Sequence, residues 1–147
     1  MTSPIGSATL ALSLFLLGSC AATAPDPSAQ TLVESLAGKN ENIVRLTVHA
    51  IPAGGADYTA VASTLASKLG KPSDPEDLQA IRGGEVVVLD EPGAIDVTVP
   101  IRMRDGAHTA AAGVTMNASM GRDAAIVAAR SIATEIEKGL IENTKKK

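Results

Sequence analysis

Aromatic side chains are nearly missing from this chain, which has one Tyr, one Phe and no Trp in 147 residues. Phe15 lies in the N-terminal apolar run, so Tyr58 is the one ring beyond it. Bases cannot be stacked without rings, and 13 basic against 16 acidic residues form no basic stripe. Nucleic acid is therefore not an expected partner. Cysteine is equally scarce. Cys20 stands alone, which excludes an internal disulfide and any paired-thiol metal site. The two histidines, His49 and His108, lack a His-x-x-x-His spacing, so no metal is expected. No Gly-x-Ser-x-Gly string is present, and Gly54-Gly55 reads as a turn because no helix with a Lys follows it. The expectation is a protein without enzymatic activity and without a cofactor. A long apolar run is also missing. Ala8 to Leu17 is about ten residues, half of what a helix needs to cross a bilayer.

What is there begins with that short run and its end. Leu17-Gly18-Ser19-Cys20 follows it directly, in the position of a signal-peptide cleavage site. The string resembles the lipobox of bacterial lipoproteins. That resemblance implies removal of residues 1–19, acylation of Cys20 by palmitate-like chains, and a lipid-anchored protein of the cell envelope. Ala21 rather than Asp after the Cys implies sorting to the periplasmic face of the outer membrane. One feature departs from the pattern: residues 1–19 carry no charge, where a signal peptide begins with Lys or Arg. The alternative is a plain secretory signal with an incidental Cys.

Beyond residue 19, 128 residues remain with a net charge of −3, a single-domain length that can bury a core of its own. Residues 20–30 are small, polar and Pro-containing, a tether. Residues 31–143 read as one α+β domain, and residues 144–147 as a basic tail. A short helix is expected over 30–38, with Leu32, Val33 and Leu36 on one side. Residues 43–51 alternate as a strand, with Val44, Leu46, Val48 and Ala50 on one face and Arg45, Thr47 and His49 on the other. A weaker strand is expected over 58–64. Ser73-Asp74-Pro75-Glu76 starts a helix, with Ser73 capping and Glu76 closing the box, and Gly83-Gly84 ends it. Strands over 85–90, 94–104 and 108–118 follow. The second carries Ile95, Val97, Val99, Ile101 and Met103 on one face, and Asp105-Gly106 signals a tight hairpin before the third. A last helix over 120–143 presents Ala125, Ala129, Ile132, Ile136 and Leu140 as one stripe. The sum is a sheet of about five antiparallel strands with helices packed on one side.

That order is similar to a PAS-like sheet, and three segments resemble the extracytoplasmic Cache group of ligand-sensing domains. These are Tyr58 to Thr64 with Leu69-Gly70-Lys71, then Gly84 to Val88, then Val97-Thr98-Val99-Pro100-Ile101 with Asp105-Gly106 and Ala112-Gly113-Val114. The chain departs from the group in its short N-terminal helix and in carrying no output module. The resemblance implies a small-molecule pocket over one sheet face. Arg45, Thr47 and His49 could there neighbour Asp96, Thr98 and Arg102, with Thr115 and Asn117 beyond. Arg45, His49, Tyr58, Thr98 and Arg102 are the candidate ligand-binding residues, and a small carboxylate or amino-acid-like compound the candidate ligand, paired to Arg45 or Arg102. The other reading of the same residues is a solvated sheet face. The chain would then be a structural or protein-interaction lipoprotein that docks an envelope partner.

Overall fold

The computed structural model describes residues 26–102 and 106–144. Cys20, the leader, the N-terminal part of the tether, Met103 to Asp105 of the expected hairpin and the terminal lysines lie outside the described residues. Helix α1 spans Pro27–Lys39 and starts earlier than expected. The Asp26 carboxylate accepts from the amides of Ser28 and Ala29, and Pro27 sits where no donor is needed. The Pro-containing stretch read as tether thus contains the first turn of this helix. Strands β1 (Ile43–Ala50) and β2 (Thr59–Ser63) follow, then helix α2 (Pro75–Gly83). Strands β3 (Val87–Glu91), β4 (Ala94–Arg102) and β5 (His108–Asn117) precede the long helix α3 (Arg122–Thr144).

The five strands form one sheet in the order β2-β1-β5-β4-β3, with every neighbouring pair antiparallel. The two long helices pack on one face. Val33 and Leu36 of α1 and Ala125, Ala129, Ile132 and Ile136 of α3 bury against Leu46, Val48, Val97, Val99, Ile101, Val114 and Met116. The expected α3 stripe is therefore the seam of the core. Its small residues let the helix approach the sheet closely, and a β5 face of Ala110 and Ala112 receives it. The short helix α2 lies across the other face. Its Ala80 and Ile81 pack with Ala111, Tyr58 and Val87 in a separate small cluster.

One expected core position is overturned. Val44 is 62% exposed, and Ile43 packs against the core instead. The register slips between Ile43 and Arg45, so Val44 is the extra residue of a bulge and leaves the alternation. β3 is also shorter than expected, because Val87, opposite Thr98, is the first residue of its ladder to β4. Beyond that point, among the described residues, the edge of β4 has no strand beside it. Pro100 occupies this stretch and forfeits no bond to β3. The amide of Arg102 is closed by Glu137 of α3, at 3.0 Å.

Candidate functional site

Between α2 and the polar sheet face lies a partly open cavity of about 120 Å³. Strand alternation supplies its floor. Arg45, Thr47 and His49 come from β1, Asp96 from β4 and Gly113 from β5. Lys68 and Asp74 come from the segment that leads into α2, Glu76 and Asp77 from its first turn, and Glu91 from the end of β3. Thr98 lies beneath, fully buried.

His49 and Asp77 sit at the centre, 6% and 4% exposed. The His49 Nδ1 is 3.3 Å from Asp77 Oδ2 and 3.0 Å from Ser73 Oγ. Asp77 Oδ2 also accepts from the amide of Asp74, at 2.9 Å, and the Thr98 hydroxyl donates to Oδ1 over 3.5 Å. Burial lowers the His49 pKa to about 4, with Lys68 and Arg45 pushing the same way and Asp74 opposing. Burial raises the Asp77 carboxyl to about 6, with Glu76, Asp74 and Asp96 adding to it and the Asp74 amide opposing. At neutral pH the two are therefore a neutral imidazole beside a carboxylate, rather than an ion pair, and the hydrogen bond at Nδ1 is the one to the Ser73 hydroxyl. With the proton on Nδ1, Nε2 is a bare acceptor. It is the histidine atom nearest the place where a Gly113 Cβ would stand, 3.7 Å away.

Arg45 lies over the other end of the floor. Its guanidinium is 3.7 Å from Asp96 and 3.6 Å from Glu91, and the Thr115 hydroxyl donates to Asp96 at 2.6 Å. Thr47 is engaged with the Ser63 hydroxyl at 2.9 Å. The structure thus brings together Arg45, Thr47, His49, Asp96 and Thr98, as alternation suggests.

It does not bring in the remaining candidates. Arg102 lies past a register shift at the end of β4, where its Nε donates to His108 Nε2 at 3.3 Å. It belongs to a second, wider groove between β4 and α3, about 580 Å³, whose walls include Val86, Val99, Arg130 and Glu137. Tyr58 packs under α2 and not against the cavity. Asn117 caps the turn before α3 through the Ser119 amide. The residues that sequence reasoning missed are Ser73, Asp74 and Asp77. The helix start at 73–76 was legible as a cap, with Ser73 as the cap and Glu76 as its partner. The cap residue is Asp74 and the returning carboxylate is Asp77, which leaves Ser73 free to meet His49. The signal was an acidic cluster at a helix start, and nothing local told that it would fold over the histidine strand.

The expected carboxylate partner for an arginine does not fit this geometry. Arg45 already faces two carboxylates, and Arg102 is elsewhere. The cavity wall holds five carboxylates against two cations.

No protein-family model matches the chain, and no curated protein does. Solved structures do. The GAF domain/HD domain protein of Geobacter sulfurreducens aligns with a TM-score of 0.57 at 14% identity, covering 82% of this chain and 93% of that one. The GAF domain of an Acinetobacter phosphoenolpyruvate-protein phosphotransferase aligns at 0.57 and 12% identity, over 80% and 82%. A type II free methionine-R-sulfoxide reductase of Thermoplasma acidophilum aligns at 0.54 and 14% identity, over 77% and 89%. The fold is of the PAS/GAF type. At these identities the likeness is one of architecture: a five-stranded antiparallel sheet with long helices on one face. The GAF domains share the PAS-like architecture expected from the sequence, and the Cache resemblance is a finer matter of lineage.

Proposed function

We propose that this chain is a small-molecule-binding sensor domain whose ligand sits in the cavity between α2 and the polar sheet face. One observation carries the reading. Two ionisable side chains, His49 and Asp77, are buried at the bottom of a cavity instead of being covered by apolar packing. Burying such groups is unfavourable, and clusters with displaced pKa values concentrate at functional sites. A solvated sheet face, the other reading of these residues, would leave them in water. Binding is favoured over catalysis because Ser73 and Asp77 meet the same nitrogen of His49, so that among the described residues no hydroxyl is hydrogen-bonded to Nε2 for activation. The PAS/GAF-type fold agrees with a sensing role of the kind implied by the Cache resemblance. We further infer that Cys20 anchors the domain by lipid to the cell envelope, facing the periplasm, so that a partner protein would carry any signal onward.

Thermal-shift titration of the full chain against amino acids, amines and carboxylates tests the first part. At least one compound should raise the melting temperature with the logarithm of its concentration. If none does, the binding reading fails and a protein-docking lipoprotein replaces it. Metabolic labelling with an alkyne fatty acid in a bacterial host tests the anchor: wild type should label and Cys20→Ser should not. Equal labelling of the two would refute acylation at that residue.

A further inference from the structure

The cavity has a chemical sign. Asp74, Glu76, Asp77, Glu91 and Asp96 face it, with Arg45 and Lys68 as the opposing cations. Lys68 is taken by Asp74 at 3.2 Å, and Arg45 is shared between Glu91 and Asp96. Among the described residues, Glu76 and Asp77 are left without a Lys or Arg partner.

A carboxylate cluster alone does not make a site, but two further features sit in its floor. The first is His49. It is 6% exposed, it lines the cavity, and its Nε2 carries no hydrogen bond among the described residues. The Asp77 carboxylate, already holding the Asp74 amide, stands 3.3 Å from Nδ1 and can only accept, while the Ser73 hydroxyl beside it can donate or accept. A bare Nδ1 facing that carboxylate would be repelled, so the pair favours the proton on Nδ1 and the lone pair on Nε2, beside the Gly113 floor. The second is Gly113. It stands in the middle of β5 with no positive φ to require glycine. A Cβ there would meet His49 Nε2 at 3.7 Å and Asp77 Oδ1 at 3.9 Å, both ordinary contacts. Glycine inside a strand weakens it, and often marks a place where something else approaches the backbone.

We propose that the cavity binds a small primary ammonium group, with N–H donors directed to His49 Nε2 and to the carboxylates of Asp77 and Asp96, over the backbone of Gly113. The inference rests on the binding reading above and names the ligand class for that site. The volume sets the size. At about 30 Å³ for each water-sized group, 120 Å³ holds roughly four such groups, so the bound part is a short alkylammonium or the amino end of a longer molecule. An anion is opposed by the excess of carboxylates. A cation without N–H donors would leave Nε2 unpaired.

Ethylammonium chloride, tetramethylammonium chloride and sodium acetate at equal ionic strength, added to the full chain, separate the cases. Ethylammonium should raise the melting temperature and move the ¹⁵N resonance of His49 Nε2, and the other two should do neither. Gly113→Ala fills the floor and should weaken ethylammonium binding at least about tenfold. Glu76→Gln, on the partly exposed rim, should weaken it several-fold and leave the unliganded melting temperature within a few degrees, which keeps the test open should Gly113→Ala fold poorly. Stabilisation by acetate without ethylammonium would overturn the ammonium assignment and leave the binding domain standing. Equal stabilisation by tetramethylammonium would overturn the contact to Nε2. Silence from these salts and from the whole compound screen would overturn both readings.

Discussion

Val97 and Thr98 are neighbours in β4, and their side chains enter opposite environments. Val97 meets the small residues of α3 in a dry layer where nothing is exposed. Thr98, equally buried, reaches the carboxylate of Asp77 under a cavity. The same alternation runs through β1, where Leu46 and Val48 face the long helices and Thr47 and His49 face α2. One side of the sheet is packed to density, which favours a single arrangement. The other holds charge and space, which costs stability and is kept where a ligand can use it. Folding is carried by the first face, and function has its candidate on the second.

The comparison can be broken most severely at the apolar face. Ile136→Asp places a carboxylate, unpaired, in the seam between α3 and the sheet and should cost about 4 kcal/mol or more, enough to unfold many domains. Loss of the cooperative melting transition in circular dichroism would show it, and a native-like transition would mean that α3 is not seated there.

The polar face should respond to pH instead. His49 holds its proton less well in the fold than in the unfolded chain, so its contribution weakens stability as pH falls from 6.5 toward 4. Asp77 holds its proton more tightly in the fold, so its contribution strengthens stability as pH falls from 6 toward 3.8. The two slopes oppose each other across the shared window. Denaturant titrations between pH 4 and 6 should find Asp77→Asn losing stability toward acid and His49→Gln gaining it, each on the order of 2 kcal/mol. Slopes of the same sign in both variants would refute the assignment of the pair.

Arg45→Ala tests whether the cavity wall is also structural. It removes the cation beside Asp96, which is 9% exposed, and should cost about 1–2 kcal/mol by urea denaturation. Arg122→Ala marks the floor of the scale. The Arg122–Asp90 pair is short, at 2.6 Å, but both partners are exposed, so its loss should change stability by less than about 0.5 kcal/mol.

Much of this architecture was legible because two periodicities are clean. The β4 and β5 alternation and the α3 stripe each point to a buried face, and the sheet and seam follow from them. Val44 misled because a bulge breaks the period of two without any local mark. The site was half legible. Arg45, Thr47, His49, Asp96 and Thr98 share a face by strand geometry alone. Asp77 and Ser73 arrive from a helix start over twenty residues from β1, and nothing in the strand pattern announces them. The expectation of an anion rested on pairing Arg45 or Arg102 with it; Arg45 faces Glu91 and Asp96, Arg102 lies in the other groove, and the start of α2 adds further carboxylates.

The departure of β3 leaves part of β4 as an open border at the edge of the sheet. Pro100 offers no donor there, and Glu137 reaches across to occupy the Arg102 amide. A second copy seeking to extend the sheet would find this border without hydrogens to share. Two donors are thus withheld at this border, by one pyrrolidine ring and one carboxylate, and a Pro100→Val, Glu137→Ala double variant should aggregate faster than wild type, read as turbidity on prolonged incubation.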